Sequence, residues 1–244
     1  MPKKSKSRSS VRSPKTARGP KTPRIIIAID GPAGSGKSTL AALLARRYGY
    51  TNIETGAMYR ALALKALEQQ VSLDDGQALR ELARQSCIAL EPAKEGNRVL
   101  LDGVGVTERI RRQDVTDAAS RVSVHPEVRE WMVRRQQEMG AGGGIVMEGR
   151  DIGTKVFPGA EVKIFLDAAP EVRSSRRFLQ SPTAPEASVL AELRARDERD
   201  RTRPASPLVP AEDAVIIDSS ALTLEQVAER AVTIVEEKLK KRSP

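Results

Sequence analysis

The stretch IDGPAGSGKST, residues 29–39, constrains this chain more than any other. From Gly31 to Ser38 it spells G-x-x-x-x-G-K-S, directly after a β-branched run and at the start of a helix-forming segment. Glycines at 31, 34 and 36 let the backbone turn tightly, so that successive N–H groups point inward at phosphate oxygens. The positive end of a helix beginning at Lys37 strengthens that attraction. In such loops the lysine reaches the β- and γ-phosphates and the hydroxyl after it meets Mg2+, roles that fall to Lys37 and Ser38. A strand feeding this loop and a helix leaving it commit the chain to an α/β fold with its ligand at the carboxyl edge of the sheet.

The rest of the pattern agrees. Ile25–Asp30 reads as a strand buried on both faces. Lys37–Tyr48 carries Leu40, Leu43 and Leu44 at helical spacing, and Gly49 can end that helix. Further helices are predicted over Gly56–Gln69 and Asp74–Ser86. Ile88–Leu90 and Arg98–Asp102 flank the turn signal EGN (95–97) as a β-hairpin. Helices follow over Gln113–Val124 and Pro126–Met139, the second with Pro in its first turn. After the glycine run GAGGG (140–144), strands are predicted at Ile145–Glu148 and Val162–Leu166, and a helix at Glu171–Leu179. A proline-marked loop (180–188), a charged helix (Val189–Thr202), a last strand (Ala214–Asp218) and a terminal helix (Leu224–Leu239) complete the chain. The expected organisation is a basic tail (1–24), core (25–71), an inserted module (72–125), core (126–179), a lid loop (180–188) and core again (189–244).

The net charge of +9 suggests nucleic acid until it is located. Residues 1–24 hold nine Lys or Arg and no acid, which leaves 32 bases against 32 acids elsewhere. Such a tail, interleaved with Ser, Thr and Pro, cannot bury a core and is expected to be disordered. Weak electrostatic contact through it is the extent of nucleic-acid binding expected. Aromatic residues make up 3% of the chain, too few for base-stacking platforms. No apolar run is long enough to cross a bilayer, and no signal-peptide core follows the N-terminus, so a cytoplasmic protein is expected. Cys87 and His125 are single, which excludes an intramolecular disulfide and cysteine-cluster or multi-histidine metal sites.

Among phosphate-loop proteins, a base-reading GTPase is disfavoured because N-K-x-D is missing. Motors and transporters are disfavoured by size. Arginines recur in motif-like settings: Arg60, Arg129, Arg150, then Arg173, Arg176 and Arg177, then Arg194–Arg203. Phosphoryl transfer between two nucleotides crowds negative charge into one cleft, and planar guanidinium forks neutralise and orient it. Arg196, Asp200 and Arg203 are spaced to share one helix face, and Asp197 forms a neighbouring pair with Arg201. A small-molecule kinase fits best. UMP, AMP or shikimate as acceptor, or a non-catalytic RNA-associated nucleotide binder using the tail, are the alternatives.

Taken together, IDGPAGSGKST, TGAMYR, EGRDIGTKVFP, VKIFLDA, RDERDR and PLVPAEDAVIIDS resemble the bacterial cytidylate kinases of the nucleoside monophosphate kinase family, over about residues 25–240. The resemblance implies a P-loop NTPase core with a five-stranded parallel sheet flanked by helices, an inserted monophosphate-binding domain containing a small β-hairpin or sheet, and a short lid. It implies transfer of a phosphoryl group from ATP, with Mg2+, to CMP or dCMP, by a monomeric enzyme. Gly31, Pro32, Ala33, Gly34, Ser35, Gly36, Lys37, Ser38 and Thr39, with Arg176 and Arg177, then serve ATP, and Ser38 serves the metal. Arg60, Arg150 and Arg203 hold the acceptor phosphate and act in catalysis with Lys37. Ser120, Arg129 and Asp151 match the cytosine-reading positions, and Arg196 and Asp200 the ribose pair. Independently, a carboxylate such as Asp151 can accept from the cytosine amino group, where uracil presents a carbonyl. Glu54 and Glu148 stand where many members carry Asp, and neither is assigned a role.

Overall fold

The computed structural model describes residues 24–93, 96–180 and 186–241. The tail expected to be disordered, apart from Arg24, lies outside the described residues, as do Glu95 of the hairpin turn and residues 181–185 of the expected lid loop. The strands are β1 (Ile26–Asp30), β2 (Thr51–Glu54), β3 (Ile88–Pro92), β4 (Asn97–Leu101), β5 (Val104–Gly105), β6 (Ile145–Gly149), β7 (Val162–Asp167) and β8 (Val215–Asp218). The helices are α1 (Lys37–Tyr48), α2 (Thr55–Glu68), α3 (Gly76–Arg84), α4 (Gln113–Val122), α5 (Pro126–Gly140), α6 (Pro170–Gln180), α7 (Glu186–Thr202) and α8 (Leu224–Lys240).

Five strands form a parallel sheet in the order β2-β6-β1-β7-β8. β1 lies at its centre because four of its five residues are buried, as strands covered on both faces require. β2 carries no apolar run that would announce a strand. Ile53 is its one buried residue, and its pairing with β6 sets Glu54 beside Glu148. On one face Leu40 and Leu44 of α1 and Val227, Ala231 and Val235 of α8 pack against Ile27, Ile29, Ile164 and Leu166. The other face buries Ala28, Ile145 and Met147 under Ile152 and Val156.

A second apolar cluster runs from Ala57 of α2 through Leu79, Leu82, Val99 and Val115 to Val128 and Met132 of α5. It joins α2, α3, α4 and α5 to a three-stranded antiparallel sheet, β3-β4-β5. That sheet is the expected hairpin with one short strand added, where Asp102 and Gly103 turn with positive φ. Among the described residues no helix is long and apolar enough to cross a membrane.

Candidate active site

The carboxyl ends of β1, β2 and β6 open into a cleft whose floor is the loop leaving β1. Gly31 has φ 148°, and a Cβ there would lie 2.1 Å from the Leu166 carbonyl oxygen of β7. Only glycine lets the loop pass so close to the sheet. Gly34 and Gly36 also take positive φ, at 77° and 97°.

Lys37 is buried, its Nζ donating to the Pro32 carbonyl (2.6 Å) and Ser35 Oγ (3.4 Å). Burial, followed by Arg150 and Arg196, pulls its ammonium down to about 7, against the opposing influence of Glu148 and Asp30. The phosphates of a nucleotide would supply the counter-charge that restores it. Ser38 Oγ donates to Glu148 Oε1 (2.8 Å). Burial raises the Glu148 carboxyl despite Lys37, and Glu54 alongside adds to the rise.

Two recesses meet over this floor. One is walled by Gly34–Thr39, Leu166, Arg176, Arg177, Ser219, Leu222, Leu224 and Val227. Its partly apolar end beyond a phosphate loop suits a nucleoside triphosphate. Arg176 is tied to Ser219 through the carbonyl (2.7 Å) and Oγ (3.1 Å), and Arg177 donates to Gln113 Oε1 (3.0 Å).

The other recess is walled by Glu54–Gly56, Tyr59, Arg60, Ala119, Ser123, Arg129, Glu148–Asp151, Arg196 and Asp200. Gly34, Lys37, Ser38 and Arg177 line both recesses, so the two share one seam. In the second, guanidinium groups stand against carboxylates. Arg129 Nη2 donates to Asp151 Oδ2 (2.6 Å), both buried, and its guanidinium sits 5.5 Å over the Tyr59 ring. Arg150 Nε donates to Asp200 Oδ2 (2.9 Å), and Arg203 Nη1 to Asp200 Oδ1 (3.3 Å). Burial works to raise the Asp200 carboxyl, but Arg150, Arg196 and Arg203 together hold it below the usual range. Burial and then Arg150 lower Arg196 to about 10. Arg60 pairs with Glu54.

A model of the cytidylate kinase family matches residues 27–237. The cytidylate kinase of Pelotomaculum thermopropionicum is 50% identical over 214 residues, covering 86% of this chain and 95% of that one. Those of Geobacillus sp. (strain WCH70) and Pasteurella multocida are 48% and 44% identical, each over 220 residues and 88% of this chain, and over 98% and 97% of their own lengths. The chain belongs to the cytidylate kinase family.

As a member of the cytidylate kinase family, the chain brings most of its expected site residues together. Gly34–Thr39, Arg176 and Arg177 share the first recess, and Arg60, Arg129, Arg150, Asp151, Arg196 and Asp200 the second. Ala33 lines the second recess, whereas Gly31 and Pro32 shape the loop from behind. Ser120 and Arg203 are not on the wall. Ser120 is buried with its Oγ accepting from Arg199 Nε (3.2 Å), and Arg203 is held by Asp200 and the Ser206 carbonyl (2.7 Å). Asp197 pairs with Arg173 Nη2 (2.6 Å), not with Arg201 as helical spacing suggested, because α7 turns that face toward α6.

Besides Glu54 and Glu148, which line the second recess, the motif reading left Arg173 and Asp30 without a role. Arg173 is fully buried, donating to the carbonyls of Ala168 (2.8 Å) and Ala33 (3.0 Å) besides Asp197. Asp30 accepts from the N–H groups of Ile152 (2.8 Å) and Gly153 (2.7 Å) at the start of a five-residue π-turn, Ile152–Val156. A lone acid ending the most apolar strand was the available signal for Asp30. For Arg173, one guanidinium among many, composition gave none.

Proposed function

We propose that the chain transfers the γ-phosphoryl group of ATP to CMP or dCMP, giving ADP and CDP or dCDP, with the residue roles that follow. The observation that carries this reading is the seam: two recesses meeting at Lys37 and Ser38, one suited to a triphosphate and one lined by paired guanidiniums and carboxylates. In this reading the phosphate loop 31–39, with Arg176 and Arg177, holds ATP. Arg60, Arg150 and Arg203 take the acceptor phosphate. Arg203 is one hydrogen bond from the wall, and its buried Nη2 has no partner among the described residues, so small movements of α7 would bring it to bear. Charge developing on the transferred group then falls among Lys37, Arg60 and Arg150, with Arg203 joining them once α7 has moved.

Asp151 accepts from the cytosine amino group and Arg129 donates to its ring acceptors, with Ser120 supporting from behind. Arg196 and Asp200 serve the ribose. The all-oxygen pair of Ser38 Oγ and Glu148, beside the phosphate loop, fits a hard cation such as Mg2+, which would neutralise phosphate charge when it arrives with ATP. A monomer working in the cytoplasm completes the reading.

Steady-state ADP release with CMP, dCMP, UMP, AMP and shikimate as acceptors tests it. CMP and dCMP are expected to stimulate turnover most. No stimulation by CMP overturns the reading.

A further inference from the structure

Of the carboxylates that face the acceptor-side arginines, Glu54 differs in two ways. The Asp151 and Asp200 side chains are 7% and 6% exposed, whereas Glu54 is 27% exposed, so solvent and ligand reach it. Glu54 also occupies the N-cap position of α2 without capping it. Its φ and ψ (−91°, 94°) suit a cap, yet its side chain accepts no helical N–H and reaches to Arg60 instead. Its backbone N–H is fixed by Asn97 Oδ1 of β4 (3.3 Å), so the side chain departs from a held point.

Apart from Arg60, the surroundings of Glu54 do little to favour an acid at this position. Strand register sets it beside Glu148, a second carboxylate. Arg60, for its part, has its Nε buried without a partner among the described residues, and Glu54 engages only its Nη2. A fork with donors to spare, held by a part-exposed acid, is a site that another anion can take over.

We propose that Glu54 stands in for the acceptor phosphate: it occupies Arg60, and a phosphate monoester must displace it to bind. The inference rests on the reading that Arg60 takes that phosphate. Every anion pays the same exchange with Glu54. A free phosphate ion has nothing to set against it, whereas a nucleotide also gains the base and ribose contacts. Glu54 thereby weakens both by the same factor and leaves their ratio unchanged, so that binding through the phosphate alone is held down.

Titration calorimetry without ATP tests this, using CMP and inorganic phosphate on the wild type, Glu54→Gln, Glu54→Ala, Arg60→Gln and the Glu54→Gln/Arg60→Gln double variant. Thermal melts verify folding. Both Glu54 variants are expected to bind CMP and inorganic phosphate about threefold more tightly, the scale of a part-exposed ion pair. That gain is expected to vanish in the Arg60→Gln background. If Glu54 instead supports Arg60, both variants bind CMP no better or more weakly, which overturns the proposal. If Arg60→Gln leaves CMP affinity unchanged, the assignment of Arg60 itself falls. A loss with Arg60→Gln and no gain at Glu54 sinks the Glu54 inference alone.

Discussion

At the scale of single residues, the Arg129–Asp151 pair decides how base selection can be tested. Both groups are buried, so removing the acid outright would strand a buried guanidinium, a defect of about 3–5 kcal/mol. Asp151→Asn keeps the shape and an acceptor for Arg129, while giving the base a donor as well. Uracil then meets a group able to serve its carbonyl. The ratio of kcat/KM for CMP to that for UMP is expected to narrow by about tenfold, the scale of one buried unpaired hydrogen-bonding group. Competition kinetics with both nucleotides measures it, and an unchanged ratio assigns base reading elsewhere. The motif order carried Asp151 and Arg129 from sequence to site. It could not show their pairing, because positions 129 and 151 meet only through the parallel register of β6 and the packing of α5.

Among the elements, the π-turn after β6 is held by the end of β1. Asp30 accepts two of the turn's N–H groups, and the loop that carries Arg150 and Asp151 is thereby fixed to the strand that carries the phosphate loop. Burial pushes the Asp30 carboxyl up to about 6, against the lowering effect of those N–H groups. A folded-state value above the unfolded one means that the native chain binds the extra proton between about pH 4 and pH 6. Its contribution to stability therefore falls as pH rises through that window, by on the order of 3 kcal/mol. Urea unfolding from pH 4 to pH 7 is expected to show this slope in the wild type and a flatter one in Asp30→Asn. Equal slopes would show that Asp30 titrates normally. Helices with strong periodicity were legible in advance, but β2 and the π-turn were not. Their residues are set by what they pair with, and Ile53 alone gave no pattern to read.

For the whole molecule, the basic tail and the enzyme divide at a definable residue. Arg24 donates to the carbonyls of Gly142 (3.0 Å) and Gly143 (3.1 Å), closing the glycine turn that leads into β6. Charge counting placed Arg24 in the tail, since composition cannot tell a docked arginine from a solvated one. A chain lacking residues 1–23 is expected to retain full CMP-dependent turnover and thermal stability. Removing Arg24 as well is expected to lower stability by about 1 kcal/mol, the net worth of the lost hydrogen bonds. Thermal melts and steady-state rates of the two truncations decide the boundary, and loss of turnover in the first would give the tail a catalytic role. The same long-range logic governs Arg173. One buried guanidinium serves the phosphate loop, the end of β7 and α7 together, so these segments are not interchangeable parts. A chimera that imported α7 without an acid at position 197 would leave a charge stranded in its host, and inheritance at 173 and 197 is bound to be joint.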